Sequence, residues 1–272
     1  MTDHARDGID YFGRGHWLTT LQERLSLSAR RRMFELWRQI ADPDSPEQTL
    51  LDYGTTPDCE RLDSNCFIPW FHREGLRITL YSPERIDHLR RPFPYVEIWP
   101  AEERPPHEGF PVRLPMADSS YDWVVSSAVL EHVGNDRRQL EFLRECGRVG
   151  RGLFLTSPDR RHWLEFHTKL PLLHWLPKPW HRSLLKMLGK TFWAQEQNLN
   201  LLSKTRLRAL AVEALGDAFE VSVRTVWTLG MPSNLVLLAT RRRRINGRDA
   251  QDAHISRSRG LVPGGRTRKE TT

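Results

Sequence analysis

The chain has 272 residues, enough for one sizeable hydrophobic core with a smaller appended segment. Its hydrophobic content of 39%, with 10% aromatic residues, is typical of a folded globular protein and excludes a fully disordered chain. The formal net charge of +7 lies entirely in residues 241–272, with ten Lys and Arg against three Asp and Glu, so the first 240 residues are neutral.

The N-terminal residues show no targeting or membrane-spanning pattern. Residues 1–15 carry no apolar core of a signal peptide, and no run of the chain approaches 18 apolar residues. The three cysteines, Cys59, Cys66 and Cys146, form no CxxC pair, and an odd number is a poor disulfide framework. We therefore expect a reducing, cytoplasmic setting.

Apolar residues recur at helical spacing from His16 to Ile40. This pattern predicts two short helices, or one helix broken near residues 26–28, before the Asp- and Pro-rich residues 42–46 end it. We assign residues 1–46 to an N-terminal helical segment and residues 47–240 to the main domain. The basic residues 241–272, with almost no apolar side chains, are predicted to form a disordered tail.

Short apolar segments then alternate with segments of helix length, which predicts an α/β domain with a parallel sheet. The predicted parallel strands are residues 49–54, 77–81, 95–99, 123–126 and 152–156. Asn135 is predicted to cap a helix after the fourth strand, and a further helix opens at residues 202–205 and runs to Leu215. Residues 219–226 and 234–239 are joined by only seven residues, so we expect these two strands to pair antiparallel.

The fold class predicted from these elements is Rossmann-like α/β, with a mostly parallel seven-stranded sheet and a C-terminal antiparallel hairpin. Residues 159–200 interrupt the alternation with many aromatic residues, histidines and prolines, and predict a helical, aromatic-rich cap. Inserted after the fifth strand, such a cap lies above the carboxyl ends of the strands, where ligands bind in this class of fold.

Two features of the cap suggest partners. Residues 170–187 combine Leu, Trp and Pro with Lys and Arg, which is typical of an interfacial helix and predicts weak affinity for anionic bilayers, aided by the basic tail. The four cap histidines, His162, His167, His174 and His181, are five, seven and seven residues apart. This is not the spacing of metal-ligand pairs, so no metal site is predicted.

The run LPMADSSYDWVVSSAVLEHV, residues 114–133, is the most specific motif in the chain. It resembles the fourth-strand signature of class I S-adenosylmethionine-dependent methyltransferases of the type-11 subgroup, in which an LPF-x-D-x-SFD-x-V run ends in LEHV. The resemblance implies S-adenosylmethionine as the cofactor and methyl transfer to a small-molecule or lipid-linked acceptor.

The resemblance also implies cofactor contacts. Of the family's D-x-G-x-G-x-G turn only Asp52 and Gly54 are present, with Thr56 at the second glycine position and its hydroxyl expected to bond the amino-acid end of the cofactor. Glu84 is expected to accept hydrogen bonds from the ribose hydroxyls, although it lies two or three positions beyond the place where the family has its acidic residue. The alternative is that Glu84 only starts a helix. Glu102 or Glu103 is expected near the adenine amino group.

At the end of the fourth strand, Ser126, Ser127 and Ala128 are expected to line the cofactor because they are small. His132 follows and is the candidate catalytic base, with packing of the turn as the alternative. In the cap, an EFHT-x-LPLLHWLP-like stretch shared with family members implies substrate contact by His167 and His174. A packed cap with hydrogen-bonded imidazoles is the alternative for these two.

The sequence thus predicts a methyltransferase, with a non-catalytic binding or scaffold protein of the same fold as the alternative, because the glycine turn is incomplete. A nicotinamide-dependent oxidoreductase is disfavoured because no GxGxxG follows a strand. A nucleic-acid methyltransferase is disfavoured because the body is neutral and the N/D-P-P-Y/F/W motif is absent, so no specific nucleic-acid partner is predicted.

Overall fold

The computed structural model describes residues 17–41, 47–100, 110, 113–165 and 167–242. The chain divides into two units, Met1–Arg241 and Arg242–Thr272. Of the second unit only Arg242 is described, so residues 243–272 of the predicted disordered tail lie outside the described residues. Arg241, predicted to begin the tail, instead ends the last strand. The helical segment predicted at the N-terminus belongs to the first unit.

Among the described residues, seven strands form one sheet in the order β3-β2-β1-β4-β5-β7-β6. The strands are β1 Thr49–Tyr53, β2 Arg77–Tyr81, β3 Glu97–Ile98, β4 Tyr121–Ser127, β5 Gly150–Pro158, β6 Phe219–Thr228 and β7 Met231–Arg241. Strands β1 to β5 pair in parallel, and β7 runs antiparallel to both β5 and β6. The predicted fold class is confirmed.

In the described part of the chain, five α-helices connect or flank these strands. They are α1 Trp17–Arg38, α2 Phe67–Arg73, α3 Asp136–Val149, α4 Lys178–Met187 and α5 Lys204–Leu215. The Asn135 side chain accepts a hydrogen bond from the Arg138 amide and caps α3, as predicted. The Ser203 side chain caps α5 in the same way by accepting from the Arg206 amide.

The break predicted near residues 26–28 is wrong, because α1 is one continuous helix of 22 residues. Serine in a helix interior costs only a few tenths of a kcal/mol relative to alanine. Burial of one face of the helix, including Met33, Phe34 and Trp37, offsets that cost many times over. Tertiary packing therefore decides a segment whose local signals were ambiguous.

Several other elements differ from their predicted lengths. Only Glu97–Ile98 of residues 95–99 pairs as a strand. Strands β6 and β7 extend toward each other until the turn holds only Leu229 and Gly230. In the cap, only Lys178–Met187 of the predicted interfacial helix is α-helical, preceded by a short 3-10 turn at Leu173–Trp175.

The sheet separates two hydrophobic cores. The first lies under α3 and α5 and includes Phe142 and Leu210, and the second lies under α1 and α2 and includes Trp37 and Phe71. Strand β4 contributes to both, since successive side chains of a strand point to opposite faces. The strands are thereby held rigidly, and the turns at their carboxyl ends are placed with them.

Gly152 on β5 makes room for a large neighbour. It lies directly opposite Trp123 of β4, whose indole nitrogen donates to the Gln48 side chain at 2.8 Å. A β-carbon on Gly152 would lie 2.7 Å from two atoms of that ring. The ring also packs edge-to-face on Trp37, with centroids 5.6 Å apart, and has little freedom to move away.

We therefore expect Gly152→Ala to lower the free energy of unfolding by about 1–3 kcal/mol through overpacking, and the melting temperature by roughly 3–10 °C. Thermal denaturation followed by circular dichroism measures this. The penalty should shrink in a Trp123→Leu background, because the clashing ring is then gone. An equal penalty in both backgrounds would show that the Trp123 contact is not its cause.

Candidate active site

The order of the parallel strands reverses between β1 and β4. From β1 the chain continues outward through β2 and β3 on one side, and through β4 and β5 on the other. In open α/β sheets, ligands bind in the crevice at the carboxyl ends of the strands on either side of such a reversal. The structure therefore brings the turns after β1, β2 and β4 together at the carboxyl ends of the parallel strands.

The turn after β1 is tight and needs its glycine. Gly54 has φ +101°, a conformation that side-chain-bearing residues rarely adopt, and its amide donates to the Tyr81 carbonyl oxygen at 2.8 Å. A β-carbon there would lie 2.5 Å from a methyl group of Val129. Asp52 lies just before this turn at the end of β1 and is only 9% exposed.

Polar side chains, rather than further glycines, shape the rest of this turn. The side-chain amide of Asn65 donates to the backbone carbonyl oxygens of Thr56 and Asp58, at 2.9 and 3.0 Å. The Ser64 hydroxyl donates to the Asp58 carboxylate at 2.7 Å, and the Asp58 amide donates to the Thr56 hydroxyl at 3.3 Å. The loop is thus pre-ordered although two of the three expected glycines are missing.

The turn after β4 is held to its neighbours by hydrogen bonds. The buried Ser126 hydroxyl donates to the Tyr53 carbonyl oxygen at 2.7 Å, and the Thr156 hydroxyl donates to Ser127 at 3.1 Å. Ala128 has φ +57°, and its amide donates to the Thr156 carbonyl oxygen at 2.9 Å. Such strain in a non-glycine residue is typical of functional sites.

The acidic residues expected for ribose and adenine are less well defined. Glu84 follows β2 and is partly buried, which raises the pKa of its carboxyl group. The nearest helical turn begins only at Asp87, so Glu84 does not start a helix, which removes the alternative role. Glu102 and Glu103 lie outside the described residues.

Burial is the main electrostatic feature of Asp52. It raises the pKa of the Asp52 carboxyl group from 3.8 to about 7, with a smaller opposing effect from a hydrogen bond with Thr55. A carboxylate held in this state gains from a nearby cation, since an opposite charge favours its ionised form. The position is therefore suited to the amino group of an amino-acid ligand.

A second group of titratable residues lies where the turn after β4 meets the cap. We call Glu131, His132, Glu165 and His167 the rim cluster. Glu131 and His132 belong to the 3-10 turn Leu130–His132, and the other two come from the cap. His132 Nε2 and His167 Nε2 lie 3.1 Å apart, and His132 Nε2 lies 4.0 Å from Glu131 Oε1.

Each member of the rim cluster is held by further contacts. His132 Nδ1 lies 2.7 Å from the Asn198 carbonyl oxygen, and His167 Nδ1 lies 2.6 Å from Glu165 Oε1. The Ser157 hydroxyl donates to Glu131 Oε2 at 3.0 Å. The structure thus joins His132 and His167, which the sequence had singled out separately.

The carboxyl groups of the rim cluster differ in charge. Burial raises the pKa of Glu131 to about 7. Glu165 is also buried, but hydrogen bonds from His167 and Thr168 outweigh that effect and lower its pKa to about 2. Burial, with a smaller contribution from the neighbouring His167, lowers the pKa of His132 to about 3.

The role of His132 as a catalytic base stays a prediction. A general base works best with a pKa near the working pH, and a value near 3 gives it little drive to accept a proton. His174, predicted to contact substrate, is buried, and its Nε2 lies 2.7 Å from the His162 carbonyl oxygen. This hydrogen bond joins two segments of the cap. Substrate contact by His174 and His167 also stays a prediction.

Sequence reasoning missed Glu131 and Glu165. Both are fully or almost fully buried, and buried carboxyl groups are rare unless they have a partner. The available signal was the adjacency of each to a singled-out histidine, in Glu131-His132 and Glu165-x-His167. Neither pattern by itself distinguishes a buried carboxyl group from a solvated carboxylate on the surface.

Comparison with known proteins agrees with the sequence resemblance. The methyltransferase domain family model of the type-11 kind matches residues 101–152. A probable S-adenosylmethionine-dependent methyltransferase of Mycobacterium tuberculosis H37Rv is 35% identical over 83 residues, which are 29% of this chain and 26% of the relative. Its counterpart in strain CDC 1551 matches equally. The match therefore covers about a quarter of the length of these curated relatives.

Solved structures agree on the fold. A candidate S-adenosylmethionine-dependent methyltransferase from Listeria monocytogenes superposes with a TM-score of 0.51 at 12% identity, covering 80% of this chain and 99% of that one. A protein from Pyrococcus horikoshii OT3 gives a TM-score of 0.50 at 11% identity, covering 87% and 97%. At these identities the likeness shows the fold alone.

Asp52 should weaken the fold at neutral pH. Because its pKa is raised on folding, the folded state keeps the proton more tightly, so stability falls as the pH rises from about 4 to about 7. We expect Asp52→Asn to be more stable than the wild type at pH 8, by about 1–3 kcal/mol, with a smaller difference at pH 5. Thermal melts at both pH values measure this.

The exposed Asp217→Asn variant is the control and should change stability little at either pH. A destabilised Asp52→Asn protein at pH 8 would contradict the raised pKa of Asp52.

Proposed function

We propose that this chain catalyses the transfer of a methyl group from S-adenosylmethionine to a small-molecule or lipid-linked acceptor. The family match to residues 101–152, the curated relatives and the fold support a class I S-adenosylmethionine-dependent methyltransferase of the type-11 kind. The observation that carries the proposal is the crevice at the strand-order reversal, where the turn after β1 and the family-like run on β4 meet.

The residues at this crevice fit the cofactor. Asp52 offers a buried carboxylate suited to the amino group of the methionine part. Gly54 provides a tight turn free of a side chain, and Ser126 and Ala128 keep the neighbouring turn small. Glu84, partly buried after β2, is the candidate for the ribose hydroxyls. Thr56 and Ser127 complete the proposed contacts.

When bound, S-adenosylmethionine supplies a methyl group on a positively charged sulfur. The transfer is an in-line displacement with a neutral leaving group, so it depends mainly on alignment and on the exclusion of water. The cap is placed to help with alignment and with the exclusion of water. Its first residue, Asp159, forms an isolated β-bridge with Leu202, and the backbone amide of Asn200 donates to the Glu131 carbonyl oxygen at 2.8 Å. The hydrogen bond from Asn200 holds the cap against the turn after β4, beside the proposed cofactor site.

Calorimetric titration with S-adenosylhomocysteine tests cofactor binding without knowledge of the acceptor. We expect binding to strengthen by about tenfold from pH 6 to pH 8, because ionisation of Asp52 near pH 7 creates the attraction for the ligand's amino group. Asp52→Asn should bind at least about tenfold more weakly at pH 8 and lose this pH dependence.

Asp217→Asn again serves as the control and should bind like the wild type. If the folded wild type gives no binding heat at either pH, the proposal fails and the non-catalytic binding or scaffold protein is favoured.

The lipid-linked acceptor class rests on the surface of the cap. Five large apolar residues within residues 172–188 are exposed: Leu172, Trp175, Trp180, Met187 and Leu188. Trp180 and Met187 are 71% and 82% exposed. Helix α4 carries three Lys or Arg residues and no acidic residue, which complements an anionic bilayer. We propose that the cap rests on such a surface, with the predicted basic tail adding to the attraction.

Flotation with liposomes containing anionic lipid at low salt tests this. We expect Trp180→Ala to reduce the bound fraction several-fold, because Trp favours the membrane interface. Trp227→Ala, which removes a comparably exposed Trp from β6, is the control and should bind like the wild type. A 1–240 truncation measures the contribution of the tail. Absence of binding by the full-length chain would overturn the bilayer proposal and leave cofactor binding untouched.

The remaining expectation concerns the compartment. Cys59, Cys66 and Cys146 are all free thiols, which supports the proposed reducing, cytoplasmic setting. Among the helices of the described residues, none has the length and apolar character needed to cross a bilayer.

A further inference from the structure

We propose that Glu131, His132 and His167 bind a divalent transition-metal ion, with Zn²⁺ as the favoured occupant. The three ligand atoms all lie within 4.8 Å of one another, at the junction of the turn after β4 and the cap. This site does not depend on the proposed methyl transfer, since neither its ligands nor its test involves the cofactor contacts.

The hydrogen bonds of the two imidazoles fix where their lone pairs point. His132 Nδ1 lies 2.7 Å from a carbonyl oxygen, which can only accept, so this nitrogen carries the hydrogen and donates it. His167 Nδ1 lies 2.6 Å from the Glu165 carboxylate and donates to it. In the neutral rings, both Nε2 atoms are therefore acceptors, and they face each other at 3.1 Å.

Two lone pairs at that distance repel each other unless a proton or a metal cation lies between them. In a tetrahedral zinc site with bonds of about 2.0–2.1 Å, neighbouring nitrogens are separated by about 3.3 Å. The observed separation matches the edge of such a site. The rings are also nearly perpendicular, at 85°, with centroids 4.7 Å apart, so they do not face each other as a stacked pair.

Glu131 supplies the third ligand and an independent observation. It is 0% exposed, and within the described part of the chain its Oε1 has no hydrogen-bond partner, although Oε2 accepts from Ser157. A buried carboxylate oxygen without a partner is costly. That oxygen lies 4.0 Å from His132 Nε2, so a modest side-chain adjustment brings it into a shared coordination sphere.

The surrounding contacts are those of a built metal site. Ligating histidines typically donate their other ring nitrogen to a carboxylate or a carbonyl oxygen, which fixes the ring and its tautomer. Glu165 does this for His167, and the Asn198 carbonyl does it for His132. Ser157 orients Glu131. Each proposed ligand therefore has a second contact that restrains its side chain.

Two imidazoles and one carboxylate select a borderline transition metal over Mg²⁺ or Ca²⁺, which prefer all-oxygen sites. Three protein ligands leave a fourth position for water or an oxygen of a bound molecule. The assignment gives His132 the role of a ligand in place of the predicted proton acceptor.

The test uses full-length chain purified without an affinity tag, stripped with a chelator and titrated with Zn²⁺ or Co²⁺. We expect one tightly bound ion per chain by elemental analysis, a rise in melting temperature with either ion, and the visible absorption of tetrahedral Co²⁺. Glu131→Gln, His132→Gln and His167→Gln should each weaken Co²⁺ binding by about tenfold or more. Glu165→Gln, which leaves all three proposed ligands in place, should weaken it by about 10–100-fold.

His72→Gln, which removes an exposed imidazole outside the cluster, is the matched control and should leave Co²⁺ binding unchanged. Circular dichroism verifies that each variant is folded, and Glu131→Gln keeps the proposal testable if a histidine variant does not fold. No ion bound by the folded wild type, or equal binding by wild type and Glu131→Gln, would overturn the metal site and favour a proton shared between the two rings. Calorimetry with S-adenosylhomocysteine on the same samples reports on the methyltransferase proposal separately.

Discussion

The reversal of strand order between β1 and β4 is the constraint on which the rest of the structure depends. After β1 the chain continues toward one side of the sheet, and after β4 it continues toward the other side. A crevice therefore opens between these two strands at their carboxyl ends. Both strands are buried on each face and cannot shift without breaking two hydrophobic cores. The ends of these strands, with Asp52 opposite Val125 and the Ser126 hydroxyl on the Tyr53 carbonyl oxygen, are thereby fixed before any ligand binds.

The turn after β1 is ordered without the full set of glycines that the family resemblance implies. Asn65 and Ser64 reach back to the loop and hold its carbonyl and carboxylate groups. Fixing a loop in advance reduces the entropy that is lost when a ligand binds. Burial of the Asp52 carboxylate, in contrast, lowers the stability of the ligand-free protein. The site therefore combines a rigid frame with one carboxylate that a positive ligand would stabilise.

The cap is joined to the sheet by buried polar contacts as well as by apolar packing. The Gln139 side chain donates to the Leu130 and Asn200 carbonyl oxygens, both at 3.0 Å, and the Asn200 side chain donates to the Gly134 carbonyl oxygen. Such bonds are directional and costly to break in the interior, so they fix one orientation of the cap. That orientation brings His167 to His132 and makes the rim cluster a single unit.

The sequence by itself determined the order and type of most elements of this protein, because strand and helix patterns are local. It predicted β2 residue by residue and the cap of α3 at Asn135, and the family resemblance of residues 114–133 located the crevice. It could not decide the continuity of α1, which packing against the sheet provides. Nor could it join His132 to His167, which are 35 residues apart. Only the tertiary structure decided that contact, because it depends on how the cap folds back over the ends of the strands.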